Sequence, residues 1–517
     1  MRDVINPLSL PNNAAPMWYR DPGLRALAFP TAIGFGCSIS LGYDGSLMNG
    51  LLANKFFVSA IDNPDPSKLG LIVAGYTLGG LPALLPASFL ADRFGRRVAL
   101  SIGCLIIVIG GIVQALTTGG WKMFAGRFIV GMGGTFCSIS GSAYTAEIAH
   151  PRNRAQVAAL IQTCWYFGSI IAAWTAFGAG YWNSSWSWRL PCLIQILPPL
   201  VQLASMPFIP ESPRFLVSKG RVEEAHQVLA RYHANGDKQD ELVLFELQEI
   251  KEALETERTA TEGVSYATFF KTAGNRHRLA ILIMVGFSSQ WVGNGIISYY
   301  LVAILESVGM TSPAKQQGFN GGLQIWNWFL AIGGSLCVEW LGRRKLWLTS
   351  AIGMFFSFAI IMGCSAAYAE HGLTNAGPAV MAFVFIYFGF YDIAFTGLTL
   401  AYPLEILPYS LRTRGMAIMS FCVTCALFFN QYVNPIALAA MRWKYYSIYI
   451  VLQALTIMCI YFFYPETKGL LLEEVATVFD GEKAILSAQR EGVAADDSKD
   501  GSATHLETKD YTEARAV

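Results

Sequence analysis

Long apolar runs joined by short polar segments dominate this chain. Twelve of them can be marked, at 26–50, 69–91, 98–117, 121–148, 155–180 and 188–209, then 279–305, 317–340, 346–369, 377–405, 413–440 and 443–464. As helices rising about 1.5 Å per residue, each is long enough to cross a hydrocarbon core about 30 Å thick. The pattern predicts an all-α polytopic membrane protein with 12 transmembrane helices. It divides into an N-terminal tail (1–25), a six-helix bundle (26–209), a polar interval (210–278), a second six-helix bundle (279–464) and a C-terminal tail (465–517). Within the interval, Val243, Leu247, Ile250 and Leu254 recur at helical spacing amid Glu246, Glu249 and Glu252, which predicts a surface helix with one buried stripe. Beyond about residue 481 the chain loses all periodicity and is expected to be disordered.

Composition agrees with the pattern. Apolar residues make up 53% of the chain and charged residues 14%, against about 25% charged in soluble proteins; the mean hydropathy is +0.40. A net charge of +1 leaves no electrostatic footprint for nucleic acid. The ten cysteines all fall inside apolar runs and read as packing residues, not a disulfide framework or metal site. Gly131-Met132-Gly133 lies within an apolar run and follows no strand, so it is no phosphate loop. No cofactor and no enzymatic centre is expected. The first twenty or so residues, with Pro7, Pro11 and Pro16, hold no apolar signal region, so the first span is expected to act as its own insertion signal.

Basic residues orient the chain. The loops after the second, fourth, eighth and tenth spans carry Arg93, Arg96, Arg97, Arg152, Arg154, Arg343, Arg344, Lys345, Arg412 and Arg414; the opposite loops hold about half as many. By the positive-inside rule both termini are cytoplasmic. Asn183-Ser184-Ser185 then falls on an outer loop as an N-glycosylation triplet.

An internal repeat runs through the chain. Asp92-Arg93-Phe94-Gly95-Arg96-Arg97 returns as Glu339-Trp340-Leu341-Gly342-Arg343-Arg344. Glu147 with Arg154 returns as Glu405 with Arg412, and Pro210-Glu211-Ser212-Pro213-Arg214 as Pro465-Glu466-Thr467-Lys468-Gly469. All three pairs share an offset of about 250 residues, so the halves are parallel repeats. The recurring charges at the cytoplasmic helix ends suggest a gate of salt bridges, with Arg93, Arg97, Glu147, Arg154, Glu211 and Arg214 facing Glu339, Arg343, Arg344, Glu405, Arg412 and Glu466 across the two halves.

Two acids and an arginine lie inside the apolar runs. Asp44 sits about 9 Å below the outer surface, and Arg127, on a span running the other way, lies at a similar depth. An unpaired acid there is costly, and an arginine partner favours its charged form. The pair is either a proton-carrying site or a static ion pair. Asp392 lies about 20 Å from the cytoplasmic Glu405. It can serve as a second proton site, as an acceptor for a substrate hydroxyl, or as the partner of a neighbouring tyrosine.

These motifs, with Gly126-Arg127-Phe128, resemble the sugar porter family of the major facilitator superfamily over residues 26–480. Gly42-Tyr43-Asp44-Gly45, Tyr391-Asp392-Ile393-Ala394-Phe395-Thr396 and Asn434-Pro435-Ile436 are similar to the fungal lactose-permease-like branch. The resemblance implies sugar transport by alternating access, driven by protons through Asp44 and Arg127. It implies a plasma-membrane monomer whose partners are a sugar, protons and the lipid bilayer. An uncoupled sugar or polyol facilitator is the alternative; a nutrient sensor would need a longer signalling tail than residues 465–517. Sugars need amides, hydroxyls and aromatic planes. The resemblance places Gln162, Gln290, Asn294 and Asn327 at the sugar, with Tyr299 and Tyr300 closing its outer side. Ser289, Gly295, Leu400, Val423 and Leu427 depart from the hexose-porter pattern. Asn430, Gln431, Asn434, Trp291, Trp326 and Trp328 are then expected to shape a different or longer cavity, suited to a disaccharide such as lactose or cellobiose, or to a hexose.

Overall fold

The computed structural model describes residues 10–15, 17–261, 265–469 and 472–481. The tail expected to be disordered beyond 481 lies outside the described residues. Among those described there is no strand. The first half comprises α1 (Pro22–Leu52), α2 (Pro66–Phe94), α3 (Arg96–Leu116), α4 (Gly120–Ile148), α5 (Arg154–Ala179) and α6, in two segments (Trp186–Ile194 and Leu197–Ser205). Three polar helices follow: α7 (Pro213–Ser218), α8 (Val222–His233) and α9 (Glu241–Thr261). The second half comprises α10, also in two segments (Ala273–Trp291 and Asn294–Ser307), α11 (Pro313–Leu341), α12 (Arg343–His371), α13 (Ala376–Ile406), α14 (Tyr409–Met441) and α15 (Tyr446–Phe463), before a short α16 (Leu472–Asp480).

Among the described residues nine helical stretches are long and apolar enough to cross a membrane, and the one from Ser410 to Phe463 holds both α14 and α15. With α4 and α11, each of 29 residues, the crossings number the twelve expected. Two crossings expected to be continuous are broken. Pro198 and Pro199 interrupt α6, because a proline removes a helical donor and clashes with the preceding turn. Gly293, at φ 102°, interrupts α10, a backbone conformation that costs glycine nothing. The carbonyl freed at Val292 accepts from the Tyr387 hydroxyl at 2.8 Å and from the Gln453 amide, so the break leaves no orphan in lipid.

Each half has its own buried cluster, around Leu100, Cys104, Ile107 and Tyr144 in the first and Leu282, Trp347, Phe358 and Tyr387 in the second. The described cysteines are all free and at least partly buried, as packing residues would be. Glycine sets the helix spacing. A Cβ on Gly131 of α4 would stand 1.8 Å from the Tyr76 carbonyl of α2, and one on Gly79 of α2 would stand 1.9 Å from the Phe128 carbonyl of α4. The small-residue spacing thus lets two backbones touch where lipid gives helices no hydrophobic reason to associate. The halves meet where α2 packs on α14, α5 on α11, and α1 on the second segment of α10.

Beyond the arginine-rich face, α9 buries Val243 and Leu247 against Leu216, Leu229 and Ala230 of α7 and α8, the stripe expected from the sequence. His233 closes α8 and is 2% exposed. Its Nδ1 lies 2.6 Å from Glu246, its Nε2 3.2 Å from the Ile148 carbonyl, and its ring centroid 4.9 Å from that of His150. Residues 10–15 clasp this junction: the Asn12 amide donates to the His233 carbonyl at 3.1 Å and the Asn13 amide to the Ala234 carbonyl at 2.8 Å. Burial and the neighbouring His233 hold the His150 imidazole down to about 3, while for His233 burial is outweighed by Glu246, which raises it.

Two outcomes follow from this packing. Gly131→Ala should lower the melting temperature in detergent, by about 1–3 kcal/mol of overpacking, whereas Gly178→Ala, with open space around its Cβ, should not. The unfolded chain protonates His150 below about 6.5 while the folded chain refuses the proton until about 3, so folding stability at this junction falls as pH drops through that window. Hydrogen exchange of α8 and α9, corrected for intrinsic rates, should accelerate from pH 6.5 to 4.5, and His150→Asn should remove that acceleration.

Candidate functional site

The sequence repeat becomes a repeated charge cluster on the arginine-rich face. In the first half, Arg96 clamps Glu147 with two hydrogen bonds of 3.1 Å and reaches Asp92 at 3.2 Å. Glu211 accepts from the backbone N–H of Arg96 at 3.2 Å, and the Ser212 hydroxyl donates to Glu147. In the second half, Arg343 clamps Glu405 at 2.8 and 3.1 Å, Glu466 accepts from the Arg343 N–H at 2.8 Å, and the Thr467 hydroxyl donates to Glu405 at 2.5 Å. The geometry is local: Gly95 and Gly342, at φ 106° and 85°, turn each chain so that a helix N-terminus points at its acid.

These charges were expected to face one another across the halves; for Glu147, Glu211, Arg343, Glu405 and Glu466 that expectation is corrected, because both clusters close inside their own half. Arg97 and Arg344 cap the ends of their halves through the Met206 and Tyr461 carbonyls. Arg154 lies 3.8 Å from Glu246 and Arg214 2.6 Å from Glu257, both on α9. Arg93 is exposed over the Phe94 ring, and Arg412 is half-buried. The Glu339 side chain lies outside the described residues. Arg96, left out of the expected gate, is the partner of Glu147; its equivalence to Arg343 in the repeat was the signal.

Between the halves lies a cavity of about 590 Å³. At its end away from the arginines it is closed by contacts between the halves: the Gln317 amide donates to the Gly50 carbonyl at 3.0 Å, the Asn49 amide to the Ser298 carbonyl, and Thr77 to Gln431 at 2.6 Å. Five of the residues expected at the sugar line it, namely Gln162, Gln290, Asn294, Tyr299 and Asn327. The breaks in α10 at Gly293 and at Tyr300, whose φ/ψ is non-helical, present Asn294 and Tyr299 to the cavity. Asn294 donates to the Ser289 carbonyl and to the Tyr391 hydroxyl, each at 3.1 Å, while its Oδ1 has no partner; the buried Asn327 Oδ1 has none either.

Two expected ligands stand elsewhere. Tyr300 is 3% exposed and donates to the Gln431 carbonyl. Asn430 is fully buried and donates to the Gln290 carbonyl at 2.6 Å, which fastens α14 to α10. Asn434 accepts from Tyr445 at 2.8 Å and Tyr449 at 2.6 Å. Trp291 and Trp326 spend their indole N–H groups on the Ala426 and Phe385 carbonyls, and neither they nor Trp328 line the cavity. Its aromatic wall is instead Trp165, Tyr166, Phe388, Tyr391 and Phe395, with Leu400, Val423 and Leu427 as its apolar floor. Trp165 and Tyr166 follow Gln162 by one helical turn, a signal the sequence contained.

Asp44 and Arg127 are 2% and 3% exposed. They lie within electrostatic reach of each other without forming a direct ion pair. Arg127 turns instead toward the Val73 carbonyl at 3.4 Å and the Tyr76 ring at 5.7 Å, and neither Asp44 oxygen has a hydrogen-bond partner. Asp392, 1% exposed, accepts from the Tyr166 hydroxyl and, at 2.9 Å, from Thr396; its second oxygen is unpartnered.

Residues 29–479 match the family described as "Sugar (and other) transporter". The chain is 30% identical over 447 residues to the MFS-type transporter criB of Aspergillus cristatus, covering 86% of this chain and 91% of that protein. It is also 30% identical to the sugar transporter STL1 of Saccharomyces cerevisiae, covering 85% and 78%. In structure it is similar to the inward-open xylose transporter XylE from E. coli, with a TM-score of 0.73 at 21% identity over 88% of this chain and all of that one. The proton:xylose symporter XylE bound to 6-bromo-6-deoxy-D-glucose gives 0.69 at 23% identity, over 88% and 99%. Twelve crossings in two repeated halves, a polar and aromatic cavity between them and a family match over nearly the whole length make this chain a multi-pass membrane protein of the sugar porter family of the major facilitator superfamily.

Proposed function

We propose that this protein is a proton-coupled sugar symporter working by alternating access. One observation carries the reading: four residues at and beside the cavity leave acceptor atoms unpartnered, namely both Asp44 oxygens, Asn294 Oδ1, Asn327 Oδ1 and one Asp392 oxygen. A buried acceptor without a donor costs about 1–3 kcal/mol. Sugar hydroxyls and a proton are the donors such a site takes up. Gln162, Gln290, Asn294, Asn327 and Tyr299 receive the sugar, and Trp165 and Tyr391 offer it aromatic planes. Asp44 receives the proton. Arg127, near enough to act on Asp44 but spent on Val73, controls how tightly that proton is held as the halves move.

The charge clusters support the moving parts. Because each is closed within one half, the arginine-rich ends can separate as rigid bodies, while the Gln317, Asn49 and Thr77 contacts close the other end. The positive-inside pattern puts the arginine-rich face and both termini in the cytoplasm, in a plasma-membrane monomer. Asn183 is exposed on the opposite face, where it can carry a glycan. With a membrane potential near 100 mV, one entering proton contributes about 2.3 kcal/mol to sugar accumulation, before any chemical gradient.

Uptake of labelled glucose, xylose, lactose and cellobiose into transporter-free cells expressing this chain, with and without a protonophore, identifies the cargo and tests the coupling. In vesicles, Asp44→Asn should abolish accumulation driven by a pH step while sparing sugar exchange at equal concentrations; undiminished accumulation would remove Asp44 from the mechanism. Asn327→Ala should raise the half-saturating sugar concentration by about fivefold to tenfold, as loss of one buried hydrogen bond predicts, and an unchanged value would place the sugar elsewhere.

A further inference from the structure

The bond between Tyr166 and Asp392 joins the two halves across the cavity. Tyr166 lies 12 residues beyond Arg154 on α5, and Asp392 13 residues before Glu405 on α13, so both sit about 18–20 Å from the arginine-rich face. Tyr166 and Thr396 line the cavity, and the Asp392 carboxyl stands behind them. The two hydroxyls lie 3.2 Å apart, and both donate to the same carboxyl oxygen. Among the described residues the partners of Asp392 are these hydroxyls and no cation. Trp165 packs edge-on against the Tyr166 ring at 5.1 Å.

We propose that the Tyr166 hydroxyl is an internal stand-in for a sugar hydroxyl, occupying Asp392 in the empty carrier and yielding it to the cargo. A phenol and a sugar alcohol are both O–H donors of similar reach, so one replaces the other at the carboxyl without stranding the acceptor. Without Tyr166 the empty carrier would leave that carboxyl with Thr396 as its one donor among the described residues, and a buried acceptor stripped of a donor is the expensive half of a lost hydrogen bond. Tyr166 therefore lowers the affinity that Asp392 would otherwise confer. It also selects for cargo with a hydroxyl at that point, because a sugar lacking one displaces the phenol and puts nothing in its place. Affinity kept modest in this way favours release into the cell. Tyr166 is in this sense a specificity-determining residue, acting on the cargo through Asp392; the inference rests on the transport reading above.

The test is calorimetric binding of glucose, xylose, lactose and cellobiose to the purified full chain, for wild type, Tyr166→Phe, Asp392→Asn and the double variant. Tyr166→Phe keeps the ring and its packing on Trp165. It should tighten binding of the preferred sugar by about threefold to tenfold, and the gain should vanish in the Asp392→Asn background. The monodeoxy analogue lacking the hydroxyl that meets Asp392 should show no gain. A Tyr166→Phe variant that binds sugar no more tightly than wild type would overturn the proposal, since a purely structural tyrosine or one that itself binds the sugar gives that result. A Tyr166→Phe gain that persists undiminished in the Asp392→Asn background would overturn it too, by removing Asp392 from the sugar. Neither result touches proton coupling, which the Asp44→Asn vesicles read separately.

Discussion

The hydrocarbon core offers no water to satisfy a polar group, and the structure follows from that shortage. Backbone groups are satisfied by helices, and where a helix breaks, side chains take over: Tyr387 and Gln453 both donate to the carbonyl that the interruption of α10 exposes. Tyr449 donates to the side-chain oxygens of Asn430 and Asn434 for the same reason. Against this background, unpartnered acceptors at Asp44, Asn294, Asn327 and Asp392 stand out. These acceptors at and beside the cavity are short of donors, and in the proposed function a polyol and a proton supply them. In that proposal, selectivity and coupling arise from one deficit.

The repeat explains how such a site can be exposed to one side at a time. Arg96, Glu147, Glu211 and Ser212 reproduce the arrangement of Arg343, Glu405, Glu466 and Thr467, so each half carries a complete clamp that ties the N-terminus of one helix to the end of another. Buried or half-buried, hydrogen-bonded ion pairs of this kind resist separation far better than exposed ones. Flexibility is therefore concentrated between the halves, where α2 meets α14 and α5 meets α11, and in the broken helices α6 and α10. The polar helices α7 to α9 and the segment around Asn12 and Asn13 are fastened to the first half at His233 and Ile148, while α9 also touches α14 of the second half.

Much of the architecture was legible in the sequence because its signals are long. Twelve apolar runs and three motif pairs at one offset leave little freedom, and the stripe of Val243 and Leu247 lay on the helix face expected of it. The site was legible only in part. Gln162, Gln290, Asn294, Tyr299 and Asn327 reach the cavity as expected, whereas Asn430 and Tyr300 do not, because the rotation of a helix about its axis decides which of its amides meets the cavity and which meets a neighbouring carbonyl. In a helix buried on all sides, apolar periodicity does not report that rotation. The same blindness hid Trp165 and Tyr166, which follow the recognised Gln162 by one turn. The expected salt bridges across the halves failed for a different reason: Gly95 and Gly342 turn the chain so that each acid meets its own half's arginine first, a contact that residue spacing alone does not reveal.

The central claim is that sugar and proton fill one shared deficit of donors and therefore move together. The most direct measurement is the external pH of a weakly buffered, de-energised suspension of cells expressing the protein, followed as the transported sugar is added. The account predicts a transient alkalinisation that begins with sugar entry and disappears with a protonophore. Sugar entry at full rate with no change in external pH would contradict it.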